Sequence, residues 1–363
     1  MRPVGSPWRG RRSVGYLSTV ASFALSAVYP LVGRRSPAGA VPLEPPLAPA
    51  STLPEHDPYR RPWPGAEVAS GGVRLHVRET PGPDDVPAVY VHGLSGSATN
   101  WTDLAALLST RAAGTAVDLP GFGLSPPLQS GQYSPSAHAD ALMCFLAGRG
   151  RPVHLVGNSM GGALALAVAV RRPELVRTLT LISPAMPDLR PDPRRVSDPK
   201  LVLAVLPVVG RTARAGLIAM SPRRRAEQVA RLCFGDPARL AEHRVAELAE
   251  EYAVRAGLPW AFEAAERTGR AMVFGWLRGE SLWRIAARVR VPTLVVWGDR
   301  DRLVAPRLAR RTVASIPGAR LLMLPGVGHV AQIEEPVTVA RAVAGLWAAA
   351  ADGTWEDPAS NGR

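Results

Sequence analysis

Residues 153–170 read VHLVGNSMGGALALAVAV, and this stretch decides the fold. Residues 153–156 form a short apolar run, which is typical of a strand buried on both faces. Helix-forming residues follow from Ala163, and Gly-x-Ser-x-Gly lies between the two segments. This order of strand, sharp turn and helix predicts that Ser159 occupies a strained turn and projects its hydroxyl clear of the backbone.

Apolar runs and helical segments alternate on both sides of this stretch. The further strand-like runs are residues 88–91, 113–117, 179–182, 294–297 and 321–324, and residues 67–69 and 73–79 read as an opening hairpin. Helical patterns occupy residues 101–109, 135–147, 160–170, 308–315 and 337–350. Such alternation predicts an α/β fold in which helices flank a mostly parallel sheet.

The alternation stops between Ser183 and about residue 288, where amphipathic helical patterns predominate. We therefore predict a helical cap at residues 186–288, inserted between two parts of one core. The first part of that core is residues 66–185 and the second part is residues 289–350. A polar tail is expected at residues 351–363.

The N-terminal region has a different composition. Residues 14–33 carry no charged side chain and are flanked by arginines, so a membrane anchor within residues 1–35 is the favoured expectation. A cleaved signal ending near Ala38-Gly39-Ala40 and a cytoplasmic extension are the alternatives. Residues 36–65 are rich in proline and are expected to form an extended linker. The expected location is therefore membrane-associated, with cytoplasmic and secreted as alternatives.

The formal net charge of +13 raises the question of a nucleic-acid partner. Almost all of the positive charge is arginine spread along the chain, which is typical of a solvated surface, so we expect no nucleic-acid partner. The two cysteines have no metal-ligand spacing and no disulfide pattern. Neither a metal nor an organic cofactor is predicted.

A serine hydroxyl needs a base to become a nucleophile at neutral pH. His329 is the candidate, because it lies in a glycine-rich loop directly after the last apolar run. The base in turn needs a carboxylate to orient it. Asp301 and Asp299 both follow the run 294–297; Asp301 is favoured, and Asp299 could instead organise the loop.

The negative oxygen that forms during attack by a serine needs two backbone amides. The amide of Met160, directly after the serine, is expected to be one of them. The loop after residues 88–91 supplies the other, assigned to Leu94 with Ser95 as the alternative. His92 in the same loop is expected to order the backbone.

Five stretches in this order resemble the cap-bearing α/β-hydrolase superfamily. They are VHGLSGS (91–97), DLPGFGLS (118–125), LVGNSMGG (155–162), VVWGDRDRLV (295–304) and PGVGHVAQIEEP (325–336). The resemblance covers residues of about 66–350 and supports Leu94 for the oxyanion hole and Asp301 for the acid. It also implies that Asp118 and Ser125 are structural.

The resemblance implies a serine hydrolase that cleaves a carboxylic ester, with a small-molecule or lipid-like substrate. One alternative is a C–C bond hydrolase of the meta-cleavage-product type, although Val330 follows His329 where those enzymes have tryptophan. A second alternative is a non-catalytic binding protein on the same fold. Five aromatic residues of the predicted cap form its core or line an acyl pocket: Trp260, Phe262, Phe274, Trp276 and Trp283. The oligomeric state stays open.

Overall fold

The computed structural model describes residues 44–188, 220–277 and 282–355. One eight-stranded sheet has the order β1-β2-β4-β3-β5-β6-β7-β8. Its strands are β1 Gly65–Ser70, β2 Val73–Thr80, β3 Ala88–Val91, β4 Gly114–Val117, β5 Val153–Asn158, β6 Val176–Ile182, β7 Thr293–Gly298 and β8 Arg320–Leu324. The β1–β2 and β2–β4 pairs are antiparallel and the other pairs are parallel, which confirms the predicted α/β fold.

Helices cover both faces of the sheet. They are α1 Thr102–Leu108, α2 Pro135–Ala147, α3 Met160–Arg171, α4 Pro222–Cys233, α5 Glu242–Ala256, α6 Ala261–Leu277, α7 Leu282–Ala286, α8 Arg307–Ser315, α9 Ala331–Glu334 and α10 Pro336–Ala351. Apolar side chains of α2, α3 and α8 pack on one face, and those of α1 and α10 pack on the other. Strands β3, β4, β5 and β7 are buried at every residue, which explains why they are mostly apolar on both faces instead of alternating.

Strand β6 begins earlier than its apolar run indicates. The run starts at Leu179, whereas the strand starts at Val176 and includes Arg177 and Thr178. Thr178 is fully buried, and its hydroxyl forms a hydrogen bond of 2.8 Å with Nδ1 of His154 on β5. A polar residue can occupy this buried position because its partner on the neighbouring strand is also polar.

The described part of the proline-rich segment is extended and is held against the core. A single 3₁₀ turn at Ala50–Thr52 is the regular structure in it before β1. The amide of Ala48 donates to the carbonyl of Arg341 at 3.0 Å, and Nε of Arg341 donates to the carbonyl of Ala48 at 2.9 Å. A side chain at Gly345 would overlap the backbone of Pro46, so the segment packs directly on α10.

Helices α4–α7 lie between β6 and β7, where the helical insertion is predicted. Helices α4 and α5 pack on each other around Ala226, Val245 and Tyr252. We call residues 220–288 the insertion below. The first part of the predicted cap, residues 189–219, and the predicted anchor at residues 14–33 lie outside the described residues. No helix in the described ranges is long and apolar enough to cross a membrane.

The pKa values of two buried histidines predict how the free energy of unfolding depends on pH. Burial lowers the pKa of His154 to about 3 and that of His138 to about 4. Below pH 6.5 these histidines therefore become protonated in the unfolded chain but stay neutral in the folded protein. We expect the free energy of unfolding to fall as the pH drops from 6.5 towards 4, by up to about 1.4 kcal/mol per pH unit for each histidine.

Urea unfolding at several pH values measures this slope. His154 stacks on Trp347 with ring centroids 4.3 Å apart, so His154→Phe keeps an aromatic ring at the same place. The variant should show a flatter dependence on pH between 6.5 and 4, whatever its stability at neutral pH. An unchanged slope in the variant would refute this account.

Candidate active site

Ser159 lies between β5 and α3 in the conformation that the motif predicts. Its backbone has φ 55° and ψ −118°. Occupying this region costs a residue other than glycine roughly 1–3 kcal/mol. Its amide donates to the carbonyl of Ile182 at 2.9 Å. A side chain at Gly157 would overlap the backbone of Gly161, and one at Gly161 would overlap the carbonyl of Val91. The glycines of the motif therefore allow strand and helix to approach closely around the serine.

The loop after β3 runs directly beside Ser159. A Cβ atom added to Gly93 would lie 3.0 Å from Cβ of Ser159. Leu94 follows in this loop with 40% of its surface exposed, whereas Met160 at the start of α3 is buried. The two residues predicted to supply oxyanion amides thus belong to the two backbone segments that flank the serine.

His92 orders this loop, as expected from the sequence. Its Nδ1 is 2.7 Å from the carbonyl oxygen of Gly93, and its Nε2 accepts from the amide of Leu119 at 3.0 Å. The ring therefore carries its proton on Nδ1 and donates it to Gly93. Burial lowers the pKa of His92, which favours the neutral ring. With both nitrogens engaged, His92 has no free position for proton transfer.

The structure brings His329 and Asp301 together. Nδ1 of His329 lies 2.8 Å from Oδ2 of Asp301, and both residues are buried. The other carboxylate oxygen, Oδ1, accepts from the amides of Leu303 at 2.8 Å and Val304 at 2.9 Å. These bonds fix the orientation of the carboxylate towards the imidazole.

Asp299, the alternative that the sequence leaves open, has a different partner. Its Oδ1 accepts from the amide of Gly326 at 2.7 Å, so it joins the loop after β7 to the loop after β8. It therefore organises the loop that carries His329 and is not the carboxylate that contacts the imidazole.

The loop of His329 is also tied to the serine turn. The side-chain amide of Asn158, the residue before Ser159, donates to the carbonyl of His329 at 3.0 Å and to that of Ile182 at 3.1 Å. The amide of His329 donates to the carbonyl of Cys233, at the end of α4, at 2.6 Å. Asn158 and Cys233 were not predicted as site residues. A buried polar side chain at the end of a central strand is the one signal that could have indicated Asn158.

Asp118 and Ser125 are structural, as the resemblance implies. The carboxylate of Asp118 accepts from the amides of Ala98 at 2.6 Å and Leu124 at 2.9 Å, and it lies 2.7 Å from Nδ1 of His76. Burial alone would raise the pKa of Asp118, but these hydrogen bonds outweigh burial and lower it. The hydroxyl of Ser125 donates to the carbonyl of Asp118 at 2.7 Å. The carboxylate thus fixes the start of the segment that follows the Leu94 loop.

Helices of the insertion contact the loop after β3. The hydroxyl of Thr99 donates to Oε2 of Glu251 on α5 at 2.7 Å. On α6, a Cβ atom added to Gly269 would lie 3.4 Å from Cδ2 of Leu94. The insertion therefore packs against the segment that is expected to bind the oxyanion.

The aromatic residues of the predicted cap divide into packed and exposed positions. Trp283 packs against the main core, and its Nε1 donates to the carbonyl of Pro187 at 3.1 Å. Phe274 is 51% exposed, and the other three are partly buried. Among the residues that the structure describes, no group of three histidine, cysteine or acidic side chains is placed to hold a metal ion.

Comparison with known proteins identifies the family of the chain. The family model for the alpha/beta hydrolase family matches residues 88–342. Lipase 1 of Psychrobacter immobilis is 27% identical over 250 residues, which cover 68% of this chain and 72% of the lipase. The 2-hydroxymuconate semialdehyde hydrolase of Pseudomonas putida is 30% identical over 292 residues, which cover 79% of this chain and 95% of that enzyme.

Solved structures give the same fold. A serine hydrolase from Cycloclasticus zankles superposes with a TM-score of 0.64 at 19% identity, covering 81% of this chain and 99% of that enzyme. The family match includes the serine turn, both aspartates and the histidine loop, and it extends over more than half of the sequence. The chain therefore belongs to the alpha/beta hydrolase family.

Proposed function

We propose that this protein is a serine hydrolase that cleaves a carboxylic ester through an acyl-enzyme intermediate. Ser159 is the nucleophile, His329 the general base and Asp301 the carboxylate that orients it. The observation that carries the proposal is the buried contact of 2.8 Å between His329 and Asp301, which follow the carboxyl ends of two parallel strands as the strained serine does. A strained serine whose turn is hydrogen-bonded to the loop of an oriented histidine, here through Asn158, is typical of an activated nucleophile.

Acylation follows from these positions. The hydroxyl oxygen of Ser159 attacks the ester carbonyl carbon while Nε2 of His329 takes the hydroxyl proton. The carbonyl oxygen becomes negative and is stabilised by the amides of Leu94 and Met160. The imidazolium then gives its proton to the departing alcohol as the bond between carbon and alcohol oxygen breaks. The product of this step is an ester of Ser159.

Water completes the reaction. His329 removes a proton from a water molecule, whose oxygen attacks the acyl carbon, and the same two amides stabilise the second oxyanion. The proton returns to the oxygen of Ser159 as the carboxylic acid leaves. Atoms balance with water as the one co-reactant, so these steps use no cofactor.

A lipid-like acyl group is the substrate class that we favour. Leu94, in the loop beside Ser159, is 40% exposed, and Leu124 and Val254 of α5, which line a cavity with Ser97 and Thr99 just after that loop, are 38% and 59% exposed. Exposed apolar side chains beside a site favour apolar ligands. The relative from Psychrobacter immobilis is a lipase, which supports this substrate class. Membrane association through residues 14–33 is a separate prediction that lies outside the described residues.

The relative from Pseudomonas putida supports a second candidate, hydrolysis of a C–C bond in a vinylogous diketone. That enzyme has the higher identity and is covered over nearly its whole length. Val330, after the histidine, packs with Ala230 and Phe234 in this chain. C–C hydrolases have a tryptophan directly after the histidine. In this chain the smaller Val330 occupies that position, within an apolar cluster.

A fluorophosphonate probe tests the nucleophile. Such probes bond covalently to activated serines, so the wild-type protein should be labelled at Ser159 and Ser159→Ala should not be. Ester hydrolysis should fall by at least about 10³-fold in this variant, because the covalent route is lost. Intact-mass spectrometry gives the labelling, and circular dichroism verifies the fold. Equal labelling of both proteins would exclude Ser159, and no labelling of either would favour the binding-protein alternative.

The two aspartates provide a matched pair of variants. Asp301→Asn can still accept from Leu303 and Val304, but its amide nitrogen would face Nδ1 of His329 and impose the wrong tautomer. We expect kcat to fall by on the order of 10⁴-fold. Asp299→Asn retains an oxygen that accepts from Gly326, so its kcat should stay within about threefold of wild type. Steady-state kinetics with a nitrophenyl ester measure both, and similar losses in the two variants would contradict the assignment.

A substrate panel separates the two reactions. Nitrophenyl esters of short and long acyl chains are compared with a vinylogous diketone, all followed by absorbance. We expect the highest kcat/KM for a long-chain ester, because the exposed apolar residues favour an apolar acyl group. A diketone that is turned over faster than every ester would establish C–C hydrolysis instead.

A further inference from the structure

Glu334, which follows the candidate base by five residues, has no place in the steps above. Its side chain is buried at the end of α9, with 9% exposure. Its carboxylate accepts three backbone hydrogen bonds, from Gly328 at 2.7 Å, Gly235 at 3.0 Å and Asp236 at 3.1 Å. Two of these donors belong to the insertion and one belongs to the loop that carries the base.

Glu334 acts on the backbone immediately beside His329. Gly328 is the preceding residue, and its amide binds Oε2 of Glu334. The amide of His329 itself donates to the carbonyl of Cys233, and its carbonyl accepts from Asn158. Both peptide groups that join His329 to the chain are therefore held, and their positions determine where the imidazole points.

The two segments that Glu334 joins pack backbone against backbone. A side chain at Gly235 would overlap the carbonyl of Gly326, and one at Gly328 would overlap the carbonyl of Cys233. No side chain fits between the backbones at these glycines, so hydrogen bonds between the segments help to set their relative position. Bonds from amides to a carboxylate are about twice as strong as bonds between neutral groups. Glu334 therefore connects the His329 loop to residues 233–236 through three charge-assisted hydrogen bonds.

We propose that Glu334 is a positioning residue, which holds His329 in reach of Ser159 by tying its loop to residues 233–236 of the insertion. The inference rests on the proposed function of His329 as general base. Glu334 does not contact the substrate in this scheme. Its effect passes through the backbone, so its loss slows proton transfer without removing any reacting group.

Variants at two adjacent glutamates test the proposal. Glu334→Ala removes all three acceptors, and Glu334→Gln keeps one oxygen for Gly328 and Gly235 while its NH₂ group faces the amide of Asp236. We expect kcat to fall by about 10- to 100-fold in the alanine variant and by less in the glutamine variant, with KM nearly unchanged. Glu335→Gln is the control, because Glu335 pairs with Arg239 of the insertion at 2.6 Å but has no bond to the His329 loop. Its kcat should match wild type.

A fluorophosphonate distinguishes positioning from loss of folded protein. If Glu334 positions the base, the variants react more slowly but reach the same final stoichiometry of labelled serine. If Glu334 serves stability alone, the labelled fraction and the melting temperature fall while the rate per active molecule is unchanged. The second result, or wild-type kinetics in both Glu334 variants, would overturn the proposal.

A second pair of variants leaves the carboxylate intact. Gly235→Ala forces the two segments apart and should also lower kcat, whereas Gly275→Ala in α6 meets no atom within 4 Å and should not. Hydrogen exchange of the peptide covering residues 326–336, measured by mass spectrometry, should be faster in Glu334→Ala and Gly235→Ala. Unchanged exchange in both variants would also overturn the proposal, independently of activity.

His329→Ala separates failure of this inference from failure of the proposed function. If His329→Ala retains full activity, the base assignment is wrong. If it is inactive while Glu334→Ala has wild-type kcat, the base assignment stands and the positioning role of Glu334 is refuted.

Discussion

The left-handed backbone at Ser159 is the constraint on which the rest of the site depends. A residue that carries a β-carbon is strained at φ 55°. The conformation persists because the surrounding structure holds it in place. The glycines of the turn bring the backbone of β3 and its loop against the start of α3, with no side chains between them. The same close approach brings the loop of Leu94 and the start of α3, whose amides we propose to bind the oxyanion, to the serine. Strain and the proposed oxyanion stabilisation therefore have one structural origin.

Buried carboxylates that accept backbone amides stiffen the loops around this turn. Asp118 accepts hydrogen bonds from the amides of Ala98 and Leu124. Asp301 accepts from the amides of Leu303 and Val304. Glu334 accepts from three amides, those of Gly235, Asp236 and Gly328. Loops without regular structure have unpaired amides, and a carboxylate can satisfy two or three of them at once. Such loops are held in one conformation before substrate arrives, as catalysis by preorganised dipoles requires.

Sequence patterns predicted the features that depend on residues close together along the chain. The strands β3, β4, β5 and β7 are short and mostly apolar runs, and the serine turn is a contiguous motif, so both could be predicted. The residues alone favoured Asp301 but left Asp299 open, because both follow the same strand at similar distances. The choice between them depends on which carboxylate faces the imidazole, and that is a property of the loop in space.

The contacts that the sequence does not reveal are those between backbone atoms far apart in the chain. The carbonyl of Cys233 and the amide of Gly235 would be available at almost any residue type, so composition does not mark them. These contacts give the insertion a part in the geometry of the base as well as in covering the site. A helix that moved as a rigid body with residues 233–236 would carry the backbone of His329 with it. We therefore expect substitutions in this part of the insertion to change the position of the imidazole.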